Sequence, residues 1–141
     1  MNSDKNSEQW EKTKADEELA ENALLIARRD LKTARNVYED GDYDWSLSIA
    51  YNSMLQSARA LMHHKGYRPK GEHKHLSTVM FLKTFYEKEV GEQTVFMLNK
   101  IRKKRHAAVY EETQIISRIE AEGALKRAEE LIGKVQQILT E

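Results

Sequence analysis

The 141-residue chain has no cysteine, so disulfide frameworks and thiolate metal sites are excluded. One proline and six glycines leave few interruptions, which argues for long helices over the turn-dense texture of an all-β domain. No apolar run approaches the roughly 20 residues needed to span a bilayer. The polar start "MNSDKNSEQWEKTKADEE" lacks a signal-peptide core, and a cytoplasmic location is the expectation. Net charge is also lacking: 23 basic residues balance 23 acidic ones, so any basic patch is local. With 40% apolar residues the chain has enough to build a core.

Hydrophobic spacing predicts five helices. Residues 1–13 read as a flexible polar lead-in, and 14–141 as one helical domain. The first helix is expected over about Lys14 to Glu39, with Leu19, Ala23, Ile26, Ala27, Asp30, Leu31, Ala34, Val37 and Tyr38 on one stripe. Gly41 stops it and Asp42 is placed to cap the second helix. There Leu47, Ala50, Tyr51, Met54, Leu55, Ala58, Leu61 and Met62 step by three and four. Small residues on its other side (Ser46, Ser53, Ser57, Ala60) predict close approach of another helix. A "GYRPKGEHK" loop leads to a third helix over about Lys74 to Lys88, anchored by Leu76, Val79, Met80 and Phe85. A fourth is expected from about Glu92 to Glu111. Ser117 with Glu120 forms a capping-box pattern opening the fifth, to about Leu139. The fold class is an all-α, antiparallel up-down bundle of four or five helices.

The fourth helix carries "NKIRKKRHAAVY", with five Lys/Arg between Lys100 and Arg105. At about 100° per residue, Leu98, Ile101, Ala108 and Val109 define a buried face, and Lys100, Lys103 and Lys104 fall away from it. Arg105 falls in the middle of the apolar stripe. A buried arginine is costly unless paired. Either it meets a core-edge glutamate or snorkels out, or it presents its guanidinium to a phosphate in a cleft.

The stretch from Ser48 to Leu76 resembles the HEPN domain (higher eukaryotes and prokaryotes nucleotide-binding). Ala50, Tyr51, Met54, Ser57, Ala58, Ala60 and Leu61 follow that family's second-helix pattern, and Lys65, Gly66, Pro69 and His73 its following loop. "RHAAVY", Arg105 to Tyr110, is similar to its fourth-helix signature. The resemblance spans about Asp16 to Leu139. It implies a helical bundle that forms a homodimer, often beside a minimal nucleotidyltransferase in a toxin–antitoxin-type module. Many members are metal-independent ribonucleases with Arg, four to six residues, then His. Here the residue after that interval from Arg105 is Tyr110, while Arg102 precedes His106 by a shorter one. A histidine with pKa near 6.5 exchanges protons at neutral pH, and a phenol near 10 does so poorly.

The expectation is therefore nucleotide or RNA binding without cleavage, by Arg102, Lys103, Arg105, His106 and Tyr110 with Arg68 and Lys70 of the basic loop. If the chain is a ribonuclease, Arg102, Arg105, His106 and Tyr110 would carry the chemistry. A third reading is a structural adaptor whose basic helix docks an acidic protein. Arg105 and Tyr110 diverge by about 140° on a straight helix, so a site using both is expected to need a second copy of the chain. Tyr67 is a candidate for stacking on a base. No cofactor is implied, and the spacing of His63, His64, His73 and His75 is poor for a metal.

Overall fold

Asp16 starts the first helix, its carboxylate accepting from Leu19 N at 3.0 Å. In the computed structural model, which describes residues 9–141, this helix (α1) spans Glu17–Glu39. Its inward face is one step round from the expected stripe. Ala20, Ala23, Leu24, Ala27, Leu31 and Ala34 are buried, whereas Leu19 is 46% exposed.

The second helix, α2 (Tyr43–Lys65), explains that rotation. The Ser46 hydroxyl donates to Ala34 O at 2.8 Å, and Ser53 to Ala27 O at 2.7 Å. The same antiparallel seven-residue step leads on to Ala60 and Ala20, both fully buried. A seam of small residues lets two backbones approach, and the hydroxyls find acceptors on the neighbouring helix. Leu19 is too large for that seam and turns outward.

Asp42 caps α2 by accepting from Trp45 N at 3.1 Å. Every residue of the expected α2 stripe is buried, and so are the small residues on its other side. α2 is thus covered all round and forms the centre of the bundle. It ends at Gly66, which has φ +88°; a Cβ there would meet Thr13 O at 2.8 Å, so a side chain is doubly disfavoured.

The next residues depart from expectation. Tyr67–Pro69 form a strand (β2) that pairs antiparallel with Trp10–Lys12 (β1), Glu11 facing Arg68. This part of the expected flexible lead-in is therefore ordered strand; Met1 to Glu8 lie outside the described residues. Trp10 supplies the cause. It is 3% exposed and sits edge-on to Phe81 and Phe85, each at 5.9 Å between ring centres. Tyr67 completes the cluster 5.1 Å from Phe85. Burying aromatic surface of this size outweighs the polarity of the flanking residues.

α3 (Lys74–Val90) and α4 (Glu92–Tyr110) meet at Gly91, which ends one and starts the other. α5 (Arg118–Thr140) opens with both hydrogen bonds of the Ser117–Glu120 capping box. Asp44 at the start of α2 holds the α4–α5 connection by accepting from the backbone of Gln114 and Ile116. The result is an all-α antiparallel bundle carrying one small ribbon. Among the described residues no helix is long and apolar enough to cross a membrane.

Candidate anion-binding site

On α4 the buried residues are Thr94, Val95, Leu98 and Ile101; from Arg102 onward none is buried. Full burial along α4 therefore stops at Ile101; Ala108 still packs half-buried against the core as the stripe predicts, whereas Val109 is 38% exposed. Arg105 lies over Tyr51, its guanidinium carbon 5.7 Å from the ring centre. The same carbon is 5.9 Å from the Tyr110 ring. Arg105 and Tyr110 therefore meet within one chain, against the expectation from helical angles. The long arginine side chain bridges an angular gap that Cβ directions alone do not.

The Arg105 Nε is buried and has no hydrogen-bond partner among the described residues. Nor does any ion pair among them involve Arg59, Arg102 or Arg105. The core-edge glutamate that would make Arg105 a structural residue is thus absent from this group of residues. Arg102 donates from Nε to Asn99 Oδ1 at 3.1 Å, and Arg59 to Thr78 Oγ1 at 3.4 Å.

Opposite α4 stands the start of α3. His73 occupies the N-cap position and makes no side-chain capping bond, and the first turn carries no acid. The opening N–H groups of a helix lack intrahelical acceptors and attract negative charge. Between the two helices lies a cavity of about 350 Å³ lined by Arg102, Arg105 and His106 of α4 and by Glu72, His73, Lys74, His75 and Leu76. One carboxylate faces two arginines, a lysine and three histidines. Two larger clefts, of about 680 and 560 Å³, are lined by Asp40, Asp42 and Asp44 and by Glu17, Glu21 and Glu141 respectively. Their acidity makes the smaller cavity the better phosphate site.

His75 lines the cavity and is backed by Tyr51 of the core. The Tyr51 hydroxyl lies 3.2 Å from His75 Nδ1. Burial pushes the Tyr51 phenol up to about 12, although Arg102, Arg105 and Arg59 pull it down. Burial also lowers the His75 pKa, and Arg105, Arg59 and Arg102 lower it further.

The remaining expected residues separate. His106 lines the cavity, its ring 5.0 Å from Tyr110. Tyr110 is 66% exposed at the end of α4. Lys103 is exposed, and Lys104 is tied to Glu120 of α5 at 3.1 Å. Arg68 pairs across the ribbon with Glu11 at 3.0 Å, and neither it nor Lys70 lines the cavity. Tyr67 is buried in the aromatic cluster and cannot stack on a base. Sequence reasoning missed His75, which lines the cavity, and Tyr51 and Arg59 of α2, which stand near it; a His-x-His pair at an uncapped helix start was the signal for His75, and the two α2 residues carried none. Among the described residues no group of three or more His, Asp or Glu could hold a metal ion.

Comparison with known proteins matches residues 20–138 to the HEPN domain. The chain is 30% identical over 121 residues to a Methanocaldococcus jannaschii protein named "Putative toxin MJ0142", covering 84% of this chain and 80% of that one. Its fold is similar to the crystal structure of TT1696 from Thermus thermophilus, with a TM-score of 0.68 and 23% identity over 84% of this chain and 96% of that one.

Proposed function

Because the chain belongs to the HEPN domain family, we propose that it binds the phosphate of a nucleotide or RNA in the cavity around Arg105 without cleaving RNA. The observation that carries this is the buried Arg105 Nε, which among the described residues has no partner, in a cavity where one glutamate of that group faces several cations. A phosphate oxygen would satisfy that donor, neutralise the clustered charge and meet the open N–H groups of α3. Arg102 and His106 line the same space. Lys103, Arg68 and Lys70 stand outside it and contribute at most long-range attraction. The non-catalytic reading rests on Tyr110, which stands where many family members carry the histidine that moves protons.

The toxin-named relative supports a place in a toxin–antitoxin-type module; a minimal nucleotidyltransferase partner and a homodimeric working form complete the proposal from the family resemblance alone. Exposed Phe96, Val109 and Tyr110 on α4 offer apolar surface for that assembly. Titration of the purified chain with AMP and with single-stranded oligoribonucleotide tests the binding reading. Saturable binding to wild type that is lost in Arg105→Ala is expected. Absence of binding to either probe would overturn it.

A ribonuclease is the second reading, favoured by three histidines around two arginines in one cavity. A cleavage assay separates the two.

A further inference from the structure

His75 sits between the core and the cavity. It is half-buried at the first turn of α3, with one ring nitrogen 3.2 Å from the Tyr51 hydroxyl and the ring itself lining the space beside Arg102 and Arg105. Tyr51 is fully buried on the central helix, so its hydroxyl has a fixed position. We infer that His75 is a ligand-facing hydrogen-bond donor of this site, and that Tyr51 fixes its proton on Nε2.

A protonated phenol has a hydrogen to donate; the guanidiniums around it accept nothing, and His75 Nδ1 is the acceptor within reach. Burial of Tyr51 keeps the phenol protonated throughout the physiological range. A neutral imidazole with Nδ1 accepting carries its hydrogen on Nε2. The charged alternative is opposed from three sides: Arg59 of α2, Arg102 and Arg105 of α4, and burial itself all disfavour the imidazolium. Lys74 and the imidazoles of His73 and His106 share the cavity, and Glu72 is its one carboxylate. His75 therefore gives the site a donor that adds no further positive charge to three neighbouring guanidiniums. A phosphate ester oxygen in the cavity is the acceptor that such a donor suits. This assignment rests on the proposed function and adds a residue to it.

Long-range proton–nitrogen NMR of the full chain at pH 7.5 reads the tautomer directly. Protonated Nε2 and bare Nδ1 are expected at His75 in wild type, with a mixture of tautomers in Tyr51→Phe. Binding is measured with AMP and with a single-stranded oligoribonucleotide. His75→Ala should weaken the better of the two by about tenfold, the scale of one hydrogen bond to a charged group. His75→Gln, whose amide nitrogen reaches the Nε2 position, should restore most of that loss. The assignment is overturned by an Nδ1-protonated or doubly protonated His75 in wild type. Wild-type affinity in His75→Ala would overturn it too, as would a glutamine variant no better than alanine. Wild type binding neither probe would instead overturn the functional reading, and this role for His75 with it.

Discussion

Arg105 of α4 rests on Tyr51 of α2, with 5.7 Å between the guanidinium carbon and the ring centre. A cation over an aromatic face gains about 0.5–2 kcal/mol, and the contact leaves the N–H groups in the guanidinium plane unspent. Among the described residues the arginine is thus held without a carboxylate. Its position is fixed while its hydrogen-bonding capacity stays open.

Arg105→Ala should therefore weaken nucleotide or RNA binding more than Lys103→Ala does. Lys103 lies outside the cavity, and only Arg105 has a buried donor without a partner among the described residues. Arg105→Lys should fail to rescue, since a flexible ammonium lacks the planar fork. Wild-type affinity should also fall steeply with added salt. Equal losses from the two alanine variants would point to a diffuse charged surface.

Stability should decline on acidification through a window that opens near pH 6.5. His63 and His75 both have lowered pKa values, chiefly from burial, with Arg59 adding to the effect at each. Below about pH 6.5 the unfolded histidines take up protons that the folded ones still refuse. The unfolded state then binds more protons, so folding weakens as pH falls until the folded residues titrate as well. Urea unfolding at pH 7.5, 6.5 and 5.5 checks this, and His75→Gln should flatten the decline. Glu120 acts in a lower window. Its carboxyl is held below the usual range, mainly by the Ser117 N–H, and that contribution is lost as pH falls through its folded pKa.

The purified wild-type protein should not cleave single-stranded RNA above background. Tyr110→His would place an imidazole next to Arg105, and weak activity is expected if the cavity already holds the phosphate. Robust wild-type cleavage that disappears in His106→Ala would establish the ribonuclease reading in place of binding alone.

Most of the fold was legible because helical periodicity is a local signal. The α2 stripe, the Asp42 cap, Gly41 as a stop and the Ser117–Glu120 box all stand where spacing put them. The α1 face came out one step round because Ala20, Ala27 and Ala34 follow a seam set by another helix, which periodicity within α1 does not contain. The ribbon was invisible for a similar reason: β1 and β2 lie more than fifty residues apart, and Trp10 is a lone apolar signal in polar surroundings. Of the site, Arg105 stood out as a charge on an apolar stripe. His75 and Tyr51 did not, because their roles depend on a contact between α2 and α3. Helical angles separate the Cβ directions of Arg105 and Tyr110, yet the length of the arginine side chain brings its guanidinium to the Tyr110 ring.

Trp10→Ala should cost about 3–5 kcal/mol, the usual range for emptying a buried tryptophan site. The loss would be felt beyond the cavity left behind, since β1 holds β2, and β2 leads into the His73–His75 turn. Thermal unfolding combined with AMP titration would report both effects. A variant that unfolds near the wild-type temperature would refute the anchoring role of Trp10.

Light scattering at micromolar concentration should give about twice 16.4 kDa if the exposed side of α4 joins two chains. A mass of one chain across that range would remove the proposed homodimer.

The ribbon also bears on where this unit begins. The stretch shared with the HEPN domain starts at residue 20, yet Trp10 lies before it and is among the most deeply buried side chains of the aromatic cluster. A fragment cut at the similarity boundary would strip the cover from Phe81 and Phe85, leave β2 without its neighbour and remove the Asp16 cap of α1. The stretch matched to the domain and the stretch packed together are different here. Any excision, fusion or tag placed between residues 9 and 20 touches the packing behind β2, and β2 leads into the turn that lines the cavity between α3 and α4.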